Sequence, residues 1–261
     1  MGALRIDRDG GVLRVTIAKP ERRNAFDAEL IAELAEAFSK AGDARAVVLA
    51  GDGPSFCAGA DVEWQRSSIE LSYEENVADA MRLYGMLEAV DTCPAPVVAR
   101  VQGFALGGGS GLVACVDAVV AAPDAVFGFT EVRLGIIPAV ISPFVIARIG
   151  AGAARRYFLT GERFDAVVAQ RIGLVHEIAE DLEAAGERIV RDLLTAGPEA
   201  ARAAKRLVHE PPQGVETARI AARLRTGAEG QEGLRAFLEK RAATLPGGGS
   251  WGVYREPPEG A

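Results

Sequence analysis

Four of the five residues from Gly107 to Gly111 are glycine, with Ser110 the exception. A run this dense lets the backbone approach a ligand closely and adopt conformations closed to other residues. It lies between the β-branched stretch Val97 to Val101 and the apolar stretch Leu112 to Cys115, an order that predicts a strand, a loop and a short helix. The first turn of a helix leaves unpaired N–H groups and a partial positive charge. The loop is therefore suited to negative charge, either a phosphate or an oxyanion that develops during a reaction. Tight packing of helix on sheet is the plainest alternative, and the density of glycines exceeds what packing needs. Gly109-x-Gly111-x-x-Ala114 also fits a dinucleotide fingerprint formally. Only about six residues precede the next apolar run, however, against roughly ten or more for a crossover helix. Ser110 as a nucleophile fails on Leu112, which stands where the nucleophile-elbow pattern requires glycine. The oxyanion reading needs a second donor from elsewhere in the chain.

The elements that must position this loop follow from periodicity. Leu4 to Ile6 and Val12 to Ile17 alternate around Asp9-Gly10-Gly11, predicting a hairpin. Asp27 is placed to cap a helix reaching about Lys40, with Leu30, Ile31, Leu34, Ala35 and Phe38 at helical spacing. Ala46 to Ala50 reads as a strand leading into the small residues Ser55 to Asp61, and Tyr73 to Val90 as a helix before the central strand. Ala118 to Ala122 and Val126 to Phe129 are further strands, followed by helices from Ser142 to Ile149, Ala151 to Leu159 and Asp165 to Arg171. Strand and helix alternate, so the fold class is layered α/β. Beyond about Asp181 the sequence turns to Ala, Arg, Glu and Leu in helical periods, which predicts a helical subdomain whose outer face packs on another subunit. Gly247-Gly248-Gly249-Ser250 has the composition of a linker.

Composition narrows the partners. The chain has 261 residues, 49% hydrophobic and 25% charged, with a net charge of -7, which gives no electrostatic case for nucleic acid. No stretch approaches the roughly 18 apolar residues of a membrane span. Three cysteines, Cys57, Cys93 and Cys115, with no signal-peptide-like start, predict a reducing cytoplasm rather than a disulfide framework. Cys57 and Cys115 read as packing residues, His176 as structural and His209 as a helix-end residue. Two histidines and scattered cysteines give no support for a metal site.

Five motifs, taken together, resemble the crotonase superfamily of enoyl-CoA hydratases and isomerases: Pro20-Glu21-Arg22-Arg23-Asn24-Ala25, Phe56-Cys57-Ala58-Gly59-Ala60-Asp61, Gly103 to Gly109, Glu131-Val132-Arg133-Leu134-Gly135 and Glu232 to Arg241. They stand in that family's order over nearly the whole chain. The resemblance implies a spiral of strand-strand-helix turns over residues 1–195 and a C-terminal helical trimerisation subdomain with its tail over 196–261. It further implies an acyl-CoA substrate, a homotrimer or dimer of trimers, and no cofactor beyond the coenzyme A that the substrate carries.

The resemblance also supplies the missing donor, because the thioester oxygen would be held by the backbone N–H groups of Ala60 and Gly108. Of the two glutamates of the hydratases, the first falls on Gly111, which has no side chain, and the second on Glu131. Read without the resemblance, Glu131 is a loop residue with Arg133 as partner; with it, Glu131 is the catalytic base. Arg22 is then expected near the CoA phosphates, the Ala58 to Ala60 backbone near adenine, and Phe237 with Lys240 at the nucleotide end, from a neighbouring subunit. Glu63 stands where many relatives carry a lysine. Trp64 and Ala139 are expected in the acyl pocket, where Pro138-Ala139-Val140-Ile141-Ser142 replaces a glycine-rich sequence.

One glutamate is compatible with hydration, with Δ3,Δ2-enoyl-CoA isomerisation, and, if Gly111 marks a degenerate member, with binding or assembly alone. Tyr73-Glu74-Glu75-Asn76, Asp79-Ala80, Ala99 to Gly103 and Pro138 to Pro143 look like bacterial methylglutaconyl-CoA hydratases of leucine and isoprenoid breakdown. Such a substrate ends in a carboxylate, for which Arg66, Arg82 and Arg100 are the sequence candidates.

Overall fold

The computed structural model describes residues 2–245 and 249–252. The predicted hairpin forms from β1 (Leu4–Asp9) and β2 (Val12–Ile17), and α1 (Ala28–Ser39) follows with the Asp27 carboxylate accepting from Leu30 N at its start. Leu30, Leu34 and Phe38 are fully buried at helical spacing, each stabilising the fold by about 1.5–3 kcal/mol. Then come β3 (Ala46–Gly51), α2 (Val62–Ser68) and α3 (Tyr73–Asp91). The central segment is β4 (Val97–Val101), β5 (Phe104–Leu106) and α4 (Gly108–Ala114). β6 (Ala118–Ala121) and β7 (Val126–Gly128) lead to a 3-10 turn at Glu131–Leu134 and to α5 (Ser142–Thr160), which breaks at Gly150. β8 (Arg163–Asp165), α6 (Ala166–Arg171), β9 (Glu177–Ile178) and α7 (Leu182–Leu194) complete the layers. Three helices follow, α8 (Pro198–His209), α9 (Val215–Thr226) and α10 (Ala228–Leu238), and then a short pair, β10 (Ala243–Thr244) with β11 (Ser250–Trp251).

Two sheets organise the chain. The larger runs β1-β2-β3-β4-β6-β9, parallel throughout except for the β1–β2 hairpin, and the smaller runs β5-β7-β8. Buried parallel strands need apolar residues on both faces, which is why Ala46 to Ala50 and Val97 to Val101 are nearly uninterrupted hydrocarbon. Each turn of the chain contributes first to one sheet and then to the other. β4 is followed by β5 and α4, β6 by β7 and α5. After β3, single parallel bridges at Cys57↔Ala105 and Phe26↔Ala60 take the place of a full strand. This is the expected spiral of strand-strand-helix turns.

Three expectations are revised. α4 begins inside the glycine cluster, not at Leu112. α7 packs its Val190 against Val12, Ala46, Val48 and Val98, so the change of composition near Asp181 lies within the sheet-covering layer. Gly247 and Gly248 lie outside the described residues. Ser250 is not linker but strand, beside a Trp251 buried with Ala236 and Ala243. No described helix is long and apolar enough to cross a membrane.

Candidate active site

Two consecutive turns of the spiral bring the small-residue loops side by side. Phe26 N donates to Gly59 O at 2.7 Å and Asp61 N to Phe26 O at 2.8 Å, pinning the residue between them. Asn24 anchors this corner. Buried in a left-handed conformation (φ 55), its Nδ2 donates to Asp52 O and Ser55 O and its Oδ1 accepts from Lys19 N. Across the Cys57↔Ala105 bridge, Leu106 N donates to Cys57 O, and Gly107 (φ 51, ψ -121) then turns the chain into α4. Ala60 and Gly108 each follow their bridged residue by three positions. Among the described residues neither of their N–H groups has a protein acceptor.

Both donors line a cavity of about 450 Å³ that also takes in Phe26, Trp64, Leu106, Ile141 and Glu131. Glu131 opens the 3-10 turn after β7. Its Oε2 is buried with no hydrogen-bond partner, and no ion pair joins it to Arg133 among the described residues. Burial pushes its carboxyl above the ordinary glutamate value, opposed in part by its own backbone N–H. Gly107 is what makes room: a Cβ there would stand 3.1 Å from Glu131 Oε1. An unpaired carboxylate beside two unpaired N–H groups is an arrangement for moving a proton next to a carbonyl whose oxygen becomes negative.

The glycines divide the work. A Cβ on Gly109 would come within 2.3 Å of Cys57 O, so that glycine lets α4 sit on the neighbouring turn. A Cβ on Gly108 would meet the Phe26 ring at 3.1 Å. At Gly111 it would stand 2.4 Å from Cγ2 of the buried Ile141. The space that a side chain at Gly111 would need is filled by hydrocarbon. Ser110 is a structural staple, its Oγ donating to Ala105 O at 2.6 Å and accepting from Gly128 N at 3.2 Å.

Other expected residues fall variously. Ala58 and Trp64 line the cavity, whereas Ala139 is exposed and outside the lining, where Pro138, Val140 and Ile141 stand instead. The reason is local, since Ile141 turns inward to cover Gly111. Arg22 is half exposed and 3.1 Å from Asp61, whose other oxygen caps α2 by accepting from Glu63 N and Trp64 N. Phe237 is exposed, Lys240 follows the end of α10 in a left-handed conformation, and neither lines the cavity of this chain. The three sequence candidates for a distal carboxylate are all paired, Arg66 with Glu63, Arg82 with Asp79 and Arg100 with Glu183. Sequence reasoning missed the α2–α3 wall, with Gln65, Ser68 and the carboxylate of Asp79, and it missed Arg163. Gln65, Ser68 and Arg163 sit in none of the quoted motifs, and Asp79 stands in the Asp79-Ala80 pair without having been read as a site residue.

The remaining reactive groups lie elsewhere. His176 Nδ1 accepts from Val119 N at 2.9 Å, a structural role, and His209 at the end of α8 lies 3.5 Å from Asp91. Burial pushes the Cys57 thiol up to about 12 and Cys115 up as well, so neither is a ready nucleophile. No group of three metal-binding side chains occurs among the described residues. A second hollow of about 520 Å³ lies between β1 and α1, where Glu33 is engaged by Leu4 N and Glu36 by Lys40.

Residues 7–247 match the enoyl-CoA hydratase/isomerase family. The chain belongs to that family. Cyclohexa-1,5-dienecarbonyl-CoA hydratase of Thauera aromatica is 34% identical over 250 residues, 91% of this chain and 94% of that protein. Among solved structures, an enoyl-CoA hydratase from Shewanella pealeana is 38% identical with a TM-score of 0.89, over 93% of this chain and 96% of its own. AtuE of Pseudomonas aeruginosa is 38% identical with a TM-score of 0.88, over 92% and 97%. The spiral read from the strands is thus the crotonase fold, and an acyl-CoA thioester is the substrate class consistent with this family.

Proposed function

We propose that the protein is an enoyl-CoA hydratase that adds water across a conjugated 2-enoyl thioester, with a branched glutaconyl group of the methylglutaconyl type as its acyl chain. The observation that carries this reading is the buried, unpartnered Oε2 of Glu131 in the same cavity that Ala60 and Gly108 line with free N–H groups. Glu131 takes a proton from water as the oxygen bonds to the β-carbon. The electron pair of the double bond moves to the thioester oxygen, and the enolate is held by the two N–H groups. Glu131 then returns the proton to the α-carbon, so that one water is added in sum. Two fixed donors stabilise the enolate more than the neutral carbonyl, and losing one typically costs about 3–4 kcal/mol in the barrier. A carboxyl raised towards the working pH is better matched to take a proton and then give it back. The reaction draws on no cofactor beyond the CoA of the substrate. The glutaconyl assignment rests on the motif similarity alone.

Ile141 over Gly111 favours one second reading. With a single carboxylate in reach, proton transfer from the α- to the γ-carbon, Δ3,Δ2-isomerisation, is chemically complete. Absorbance of the conjugated thioester separates them, with 3-methylglutaconyl-CoA and crotonyl-CoA as substrates and Glu131→Gln in parallel. Loss of signal abolished in the variant supports hydration. No change with either, but conversion of a 3-enoyl-CoA, replaces it with the isomerase. Binding without any turnover would make the protein a non-catalytic acyl-CoA binder.

Exposed Leu207, Val208, Val215, Leu234 and Leu238 on α8, α9 and α10 support assembly through these helices into a trimer or a dimer of trimers, which would also bring Phe237 and Lys240 to a neighbour's nucleotide end. Three buried free thiols suit a reducing compartment, the cytoplasm.

A further inference from the structure

Arg163 belongs to no motif of the family resemblance, yet it lines the catalytic cavity. In the small sheet Leu106 pairs with Gly128 and Gly128 with Arg163, so the three share a row. Gly128 has no side chain to obstruct the row. The Arg163 guanidinium reaches the Phe104 ring, its Cζ 5.6 Å from the centroid, and a second guanidinium, Arg23, lies 6.0 Å from the same centroid. The backbone of Arg23 is held by its carbonyl, which accepts from the N–H of Ala58, a residue that also lines the cavity. Among the described residues neither guanidinium takes part in an ion pair, whereas the neighbouring Arg22 is committed to Asp61. Both arginines are exposed, so each charge stands within reach of a ligand rather than committed inside the fold. An anionic oxygen group completes the set, and the planar guanidinium is the side chain best matched to carboxylate or phosphate.

We propose that Arg163, with Arg23 beside it on Phe104, is the anion-binding element of the acyl-CoA site, gripping a negatively charged oxygen group of the thioester. That group is either a carboxylate at the far end of the acyl chain or a phosphate of CoA. The proposal rests on the acyl-CoA reading but not on hydration, so the test uses saturated thioesters that cannot turn over. Wild type, Arg163→Met, Arg163→Lys and Arg23→Met are titrated calorimetrically with glutaryl-CoA, butyryl-CoA and butyryl-pantetheine. Arg163→Met is expected to bind an anion-bearing ligand at least tenfold more weakly, with Arg163→Lys recovering part of the loss and butyryl-pantetheine unaffected. A loss confined to glutaryl-CoA assigns the acyl carboxylate. An equal loss for both CoA esters assigns the phosphates. Unchanged affinity for all three ligands, or a uniform loss that includes butyryl-pantetheine, overturns the proposal. If wild type binds none of the three, the acyl-CoA reading itself fails.

Discussion

At Glu131 the proposed function and stability pull in opposite directions. Its carboxyl is raised by burial, so between the ordinary glutamate value and the raised one the native state holds a proton that the unfolded chain has released. Stability therefore falls as pH rises through that window. Glu131→Gln is expected to melt higher than the parent at pH 7.5 and level with it below the ordinary carboxylate range, while turnover drops about 10²- to 10⁴-fold. Thermal melts at both pH values and a kcat measurement check this. The parent's kcat/KM should decline on acidification at a pH above the ordinary glutamate value, since the base must be ionised to begin. That Gly111 carries no side chain was legible in the sequence, but what packs over it was not. Ile141 lies thirty residues away and reaches Gly111 only through the packing of α5 on α4. Gly111→Glu alone is expected to lose about 1–3 kcal/mol or more from overpacking, and Ile141→Ala in the same chain to return much of the lost melting temperature.

At the scale of elements, the glycine loop was read correctly as strand, turn and helix, yet the helix began four residues early. Propensity placed its start at Leu112, because glycine in a helix interior is unfavourable. Close packing overrode propensity: Gly109 lies against the Cys57 carbonyl and Gly111 under Ile141, and both must lack a side chain. Ser110 between them carries a prediction. Ser110→Ala leaves the Gly128 N–H and one Ala105 acceptor site unmatched in the interior, a loss of about 1–3 kcal/mol by denaturant titration. Turnover per folded molecule should stay within a few-fold of the parent. Loss of turnover beyond that, with stability intact, would restore Ser110 as a chemical residue.

For the molecule as a whole, the layered α/β order and the small-residue loops of the candidate site could be read in sequence because each rests on local periodicity or local glycines. Contacts that tie distant segments could not. Lys205 on α8 is nearly buried and pairs at 2.7 Å with Asp117, which also accepts from Val97 N, so one carboxylate links α8 to two adjacent turns of the spiral. Lys205→Met is expected to lose about 1.5–3 kcal/mol, a fall of several degrees in melting temperature. Light scattering of the purified protein should give a multiple of three chains, and a monodisperse single chain would reject assembly through α8 to α10. The two N–H groups proposed as oxyanion donors, finally, sit on neighbouring turns, each three residues beyond the Cys57↔Ala105 bridge, so the roughly 4.8 Å spacing of strands fixes the segments from which they project. That spacing behaves as a lattice constant of the sheet. A change in the helices and loops lining the acyl end would leave that spacing, and with it the seat proposed for the thioester oxygen, in place.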